Sequence, residues 1–219
     1  MDPKKINSKI RCVIYDCDGV LFDSLEANTK LYNDLCAMVG RGSLRENEMQ
    51  YVHTHTVFEA LHFIFGKEND WEKKALEILK QKQVDLKNYV SYLKMEPHLF
   101  QALEKLKEKG ILRAINTNRT TSMKYIMERF NLWPYFEMVV TALDVKNPKP
   151  HSESIEKIIA AFKLNKEEAV FVGDSEVDKQ TAESSGVRFI AYKNRAIANG
   201  LLIEDHLEIL NLPLPYKLP

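Results

Sequence analysis

The sequence predicts an α/β protein with a Rossmann-like parallel-sheet core and an inserted helical cap. Short apolar runs recur along the chain, each ending in a polar cluster, and segments of helical period lie between them. Strands alternating with helices imply a parallel sheet with right-handed crossovers. The alternation then breaks between Ser24 and Met95, which supplies the insertion.

The first apolar run, residues 11–15, stops at Asp16-Cys17-Asp18-Gly19, as a buried strand does when it delivers polar side chains to a loop. Residues 111–115 precede Asn116-Thr117-Asn118, residues 138–140 precede Thr141, and residues 169–172 precede Gly173-Asp174. Residues 187–191 form a fifth expected strand. Leu99, Leu103 and Leu106 ahead of Gly110, and Ile155, Ile158, Ile159 and Phe162 further on, mark helices between strands. Ligands of such sheets sit outside the carboxyl ends of the strands, so one site can collect these polar clusters.

Residues 24–95 carry several helix patterns and no convincing strand, and roughly 70 residues is too long for a plain connection. They are read as a helical cap, with the core formed by residues 1–23 and 96–219. Within the cap, His53-Thr54-His55-Thr56 precedes the pattern Phe58, Leu61, Phe65 and is expected to start a helix, with Thr54 or Thr56 capping it. No carboxylate or cysteine stands at ligand spacing to make these histidines a metal site. The proline-rich tail, residues 212–219, is expected to run extended.

Lys plus Arg and Asp plus Glu are equal at 31 each, so no net basic field draws nucleic acid or anionic membrane. A small molecule is the expected partner, and the protein is expected as a monomer or homodimer. Cys12, Cys17 and Cys36 are odd in number and lack CxxC spacing, which argues against a disulfide framework and a zinc site. No apolar segment of signal or membrane-spanning type follows the charged MDPKKINSKI, so a soluble, cytoplasmic protein is expected.

Asp16 and Asp18 flank one residue at a strand end, and Asp174 and Asp178 form a second acidic cluster at another. Carboxylates gathered in one place repel unless a cation joins them, and a few hard oxygen ligands suit Mg²⁺. Thr117 offers a hydroxyl to a phosphoryl group, and Lys149 a point charge. Lys146 competes for that second role, but the Pro150-His151 that follows favours Lys149. A carboxylate can attack phosphorus to give an aspartyl-phosphate, and a second aspartate can move the protons.

Asp16-Cys17-Asp18-Gly19-Val20-Leu21-Phe22-Asp23-Ser24, Asn116-Thr117-Asn118-Arg119, Lys149-Pro150-His151 and Val172-Gly173-Asp174-Ser175-Glu176-Val177-Asp178 resemble, in order, the four motifs of the haloacid dehalogenase superfamily. The insertion resembles the C1 cap of its phosphoglycolate phosphatase and β-phosphoglucomutase branch. The resemblance implies that Asp16 is the nucleophile and Asp18 the acid and base. Thr117, Asn118 and Lys149 would hold the phosphoryl group. Asp16, the backbone carbonyl of Asp18 and Asp174 would bind Mg²⁺, with Asp178 in support. Arg119, His53 and His55 are candidates for reading the substrate, and His151 lies near them in sequence. The implied activity is a phosphatase for a phosphoglycolate-, sugar-phosphate- or nucleotide-like metabolite; a phosphomutase is the alternative, and a catalytically silent binding relative a distant one.

Overall fold

The computed structural model describes residues 10–55, 57–66, 70–81 and 84–212, with backbone alone at 53 and 54. In chain order its elements are β1 (Cys12–Tyr15), β2 (Phe22–Asp23), α1 (Leu25–Met38), α2 (Glu46–Thr54), α3 (Val57–Phe65), α4 (Trp71–Lys80), α5 (Lys87–Val90), β3 (Lys94–Met95), α6 (Leu99–Glu108), β4 (Leu112–Asn116), α7 (Ser122–Arg129), β5 (Met138–Val140), α8 (Glu153–Phe162), β6 (Ala169–Gly173), α9 (Glu176–Ser185), β7 (Arg188–Tyr192) and β8 (Leu202–Ile203).

The main sheet has the order β5-β4-β1-β6-β7-β8, with every pairing parallel. All four residues of β1 are buried, because helices cover both faces of the sheet; hence the unbroken apolar run. Val13 and Tyr15 pack on one face with Leu103, Leu106, Met123 and Ile126. Cys12 and Ile14 pack on the other with Ile155, Ile158 and Ala182, as the two-residue period of a strand requires. Tyr15 stands level with Ile115 of β4 and Val172 of β6, so three strands end side by side and release their polar residues together.

The five expected strands are present, each boundary moved by at most one residue. β8 was not expected, because two residues carry no readable period. The expectation of no strand within 24–95 is corrected at Lys94–Met95, which pairs antiparallel with Phe22–Asp23. That pair is set by geometry and not by composition: it lies where the chain leaves the core and comes back, and Glu96 N–H then donates to the Leu21 carbonyl at 3.0 Å. Between the two strands lie α1 to α5, with a core of their own around Leu35, Leu61, Phe65 and Ala75. His53 and Thr54 end α2 instead of opening the next helix, and His55 follows as the turn into α3. The side chain of His53, Thr56 and the tail beyond Leu212 lie outside the described residues. No described helix is long and apolar enough to cross a membrane.

One buried ring ties the sheet to the turn after β1. His206 is fully buried, stacked on Tyr192 at 4.6 Å between ring centroids and tilted against Tyr15 at 5.9 Å. Its Nε2 lies 2.9 Å from the Val20 carbonyl, which only accepts, so Nε2 carries the proton; Nδ1 is buried without a partner. Burial pushes the imidazole pKa down from 6.5 to about 4. Above pH 6.5 the ring is neutral whether folded or unfolded. As pH falls from 6.5 towards 4, the unfolded chain takes up a proton that the folded chain refuses, and stability is lost at about 1.4 kcal/mol per pH unit. We predict that the stability advantage of wild type over His206→Phe, from urea midpoints, shrinks by about 2 kcal/mol between pH 7.5 and pH 5. An advantage that does not change with pH would show that the folded ring accepts the proton freely.

Candidate active site

Asp16 follows directly on β1, and the backbone turns at once: Leu21 and Phe22 N–H both donate to the Cys17 carbonyl, at 3.0 and 3.1 Å. Gly19 makes the turn with φ +73°, where an L side chain is strained. A Cβ on it would also lie 1.9 Å from Asp174 Oδ2. Gly173, the last residue of β6, is similar, since its Cβ would fall 2.3 Å from the Cβ of Asp178. Gly19 lets the turn approach an acidic side chain that the neighbouring strand end brings in, and Gly173 one on the helix that follows its own strand.

Lys149 Nζ is buried between two carboxylates, donating to Asp16 Oδ1 at 2.7 Å and Asp178 Oδ1 at 2.6 Å. Asn118 Nδ2 donates to the Lys149 carbonyl at 3.1 Å and so holds the loop that carries it. Asp178 is fully buried, and its Oδ2 accepts from the Ser175 hydroxyl at 2.5 Å and from the Ser175 N–H at 3.2 Å. Asp178 N–H donates back to Ser175 Oγ, completing a capping box at the start of α9. The same aspartate therefore both caps a helix and faces the site.

One carboxylate oxygen from each of Asp16, Asp174 and Asp178 lies within 4.8 Å of the others. Burial, and then the negative charge of Asp178, push the pKa of Asp16 above the usual carboxylate range against the opposing pull of Lys149. Burial and the charges of Asp178 and Asp16 raise Asp174 in the same way. Burial alone would lower the Lys149 pKa, but Asp16 and Asp178 outweigh it and hold the ammonium charged. Three carboxylates around one ammonium leave negative charge unbalanced in a buried place. A small divalent cation that prefers oxygen ligands fits that donor set.

Asp18 turns the other way. Its Oδ1 accepts from Arg119 Nη2 at 2.6 Å and from Asn28 Nδ2 at 3.4 Å. Thr117, buried at the end of β4, accepts the Arg119 N–H on its Oγ1 at 3.1 Å. These groups floor one cavity of about 690 Å³, walled on the far side by apolar residues of the insertion such as Leu31, Phe58, Leu76 and Leu86. His55 also reaches the wall, its ring stacked on Tyr51 at 3.7 Å.

The fold thus gathers Asp16, Asp18, Thr117, Asn118, Arg119, Lys149 and Asp174 around one space, with Asp178 behind them. Lys146 is exposed, and its backbone N–H donates to Glu153. His151 is exposed too, its Nδ1 accepting from Glu153 N–H at the start of α8. Sequence reasoning missed Asn28 and Ser175. The Ser175-x-x-Asp178 spacing was a capping-box signal that could have revealed the second; Asn28 stands one helical turn beyond Ser24, with no signal of its own.

The model of the haloacid dehalogenase-like hydrolases matches residues 13–192. The chain belongs to that family. Among its relatives, the phosphoglycolate phosphatase of Rhodobacter capsulatus is 27% identical over 82% of this chain and 83% of its own length. The pyrophosphatase PpaX of Bacillus cereus is 24% identical, with 84% and 83% covered. A solved HAD-superfamily hydrolase of subfamily IA from Geobacter sulfurreducens is 40% identical, superposes with a TM-score of 0.76, and is matched over 98% of its chain and 94% of this one. The chain is thus a hydrolase of this family, with relatives named as phosphatases.

The close approach at Gly19 yields a test. Gly19→Ala must accept a left-handed backbone at a cost of about 1–2 kcal/mol, and must also push Asp174 aside. We predict a lower urea midpoint together with at least about a tenfold loss of turnover, equivalent to 1.4 kcal/mol at the transition state. A variant with wild-type values for both would show that the turn has room to spare.

Proposed function

We propose that this hydrolase is a Mg²⁺-dependent phosphatase that acts on a small phosphorylated metabolite through an aspartyl-phosphate formed on Asp16. The observation that carries the reading is the cluster of Asp16, Asp174 and Asp178 beside Lys149, with Asp16, Asp174 and Lys149 lining one cavity and Asp178 behind them. Mg²⁺ would be held by Asp16, Asp174 and the backbone carbonyl of Asp18, with Asp178 alongside, and when bound it supplies charge neutralisation and polarises the phosphoryl group.

Each residue has a chemical task in this reading. Asp16 attacks phosphorus as the bond to the leaving oxygen breaks, while Asp18 gives that oxygen a proton. Asp18 then takes a proton from water as the water oxygen bonds to phosphorus and the Asp16–phosphorus bond breaks, releasing phosphate. Lys149 and the Thr117 hydroxyl, with Asn118 beside them, stabilise the charge on the phosphoryl oxygens. Residues 24–95 act as the cap over a core of residues 1–23 and 96–219, excluding bulk water and presenting Phe58 and His55 to the rest of the substrate. The phosphoglycolate phosphatase and pyrophosphatase names among the relatives support a small anionic substrate.

Phosphate release from a panel of phosphorylated metabolites and p-nitrophenyl phosphate, with Mg²⁺ and with chelator, tests this. We expect release that chelation abolishes and that Asp16→Asn lowers by at least about a thousandfold. Undiminished release from Asp16→Asn would remove the nucleophile assignment, and conversion of a sugar phosphate to its isomer instead of phosphate would identify a mutase.

A further inference from the structure

We infer that Arg119 is a positioning residue that orients the carboxyl group of Asp18 for proton transfer. The inference rests on the reading above, in which Asp16 attacks and Asp18 moves protons. The two aspartates are two residues apart but are held by different cations: Asp16 by Lys149, and Asp18 by Arg119 at 2.6 Å. Both members of the second pair are largely buried, their side chains 13% and 14% exposed.

Arg119 is itself fixed from several directions. Its N–H donates to Thr117 Oγ1, its Nη1 to Ser122 Oγ at 3.4 Å, and its Nη2 reaches Asn28 Oδ1 at 3.4 Å as well as Asp18. Asn28 returns a hydrogen bond from Nδ2 to the same Asp18 Oδ1 and touches Ser24 Oγ with that nitrogen. Arg119, Asp18 and Asn28 therefore close a triangle that joins the loop after β4, the turn after β1 and helix α1.

Two donors converge on Asp18 Oδ1, which uses the two lone pairs of that oxygen. The proton that Asp18 transfers is therefore not carried on Oδ1. This arrangement holds in both halves of the reaction: Oδ1 acts as the carbonyl oxygen when the group is a neutral acid, and as the bound oxygen when it is a carboxylate. A planar guanidinium presents two N–H bonds from one nitrogen to Asp18 and Asn28, a geometry that an ammonium on a flexible stem does not hold as firmly. Proton transfer is steeply sensitive to such placement, while attack by Asp16, held by Lys149, is not tied to it.

Leaving-group dependence separates the two steps. A p-nitrophenolate anion departs without a proton, whereas an alkoxide needs one. With enzyme and Mg²⁺ mixed rapidly with p-nitrophenyl phosphate, Arg119→Met should give a burst of p-nitrophenolate close to one per enzyme, at a rate within about threefold of wild type, and then turn over about 10–100-fold more slowly. Phosphorylation by 2-glycerol phosphate should be slowed by a similar about 10–100-fold, with KM little changed. Arg119→Lys, which keeps the cation, should fall between, and it carries the test alone if Arg119→Met does not fold. A burst and turnover that decline equally with both substrates, a change confined to KM, or wild-type behaviour in Arg119→Lys and Arg119→Met would each overturn the inference. Asp18→Asn serves as the reference: should it keep full turnover, the acid–base assignment itself fails, whatever Arg119 does.

Discussion

The molecule is organised around a buried ammonium that cannot be left alone. Lys149 touches Asp16 and Asp178, and neither it nor Asp178 has appreciable access to water. Removing one partner from a buried charge pair costs about 3–5 kcal/mol, because the remaining charge is stranded. Several features near the strand ends serve that requirement: β1 and β6 end at one level, Gly173 lets Asp178 come close, and Asn118 holds the lysine's loop in place. The ammonium does not balance three carboxylates, and the imbalance is what makes the cluster receptive to a cation.

The core was legible in the sequence to the extent that it repeats a pattern. Runs such as Cys12-Val-Ile-Tyr15 are apolar throughout because both faces of a central parallel strand are covered, so their ends could be read to within a residue. Two-residue strands carry no such pattern, so Leu202–Ile203 and Lys94–Met95 were invisible. His53 and Thr54 end a helix where the sequence reads as opening one, because a polar stretch between two helices reads equally as the end of one or the start of the next.

The site was legible where its residues sit at strand ends and opaque where they sit inside a helix. Asp16, Thr117 and Asp174 announce themselves by interrupting apolar runs. Asn28 lies one turn into α1, looks like any polar residue on a helix, and reveals itself only by meeting Asp18 and Arg119 in space. Asp178 serves two partners at once: one oxygen accepts from Ser175 at the start of α9 and the other from Lys149.

The short antiparallel pair of Phe22–Asp23 with Lys94–Met95 has a consequence for how the chain tolerates change. Once these strands are joined, the chain enters and leaves the helical insertion through a closed neck. The entropy of closing a loop grows only with the logarithm of its length, about 0.6 kcal/mol for each doubling. Residues can therefore be gained or lost beyond the neck at little cost to the sheet, so that the helical insertion is free to diverge while the part holding the charges stays as it is.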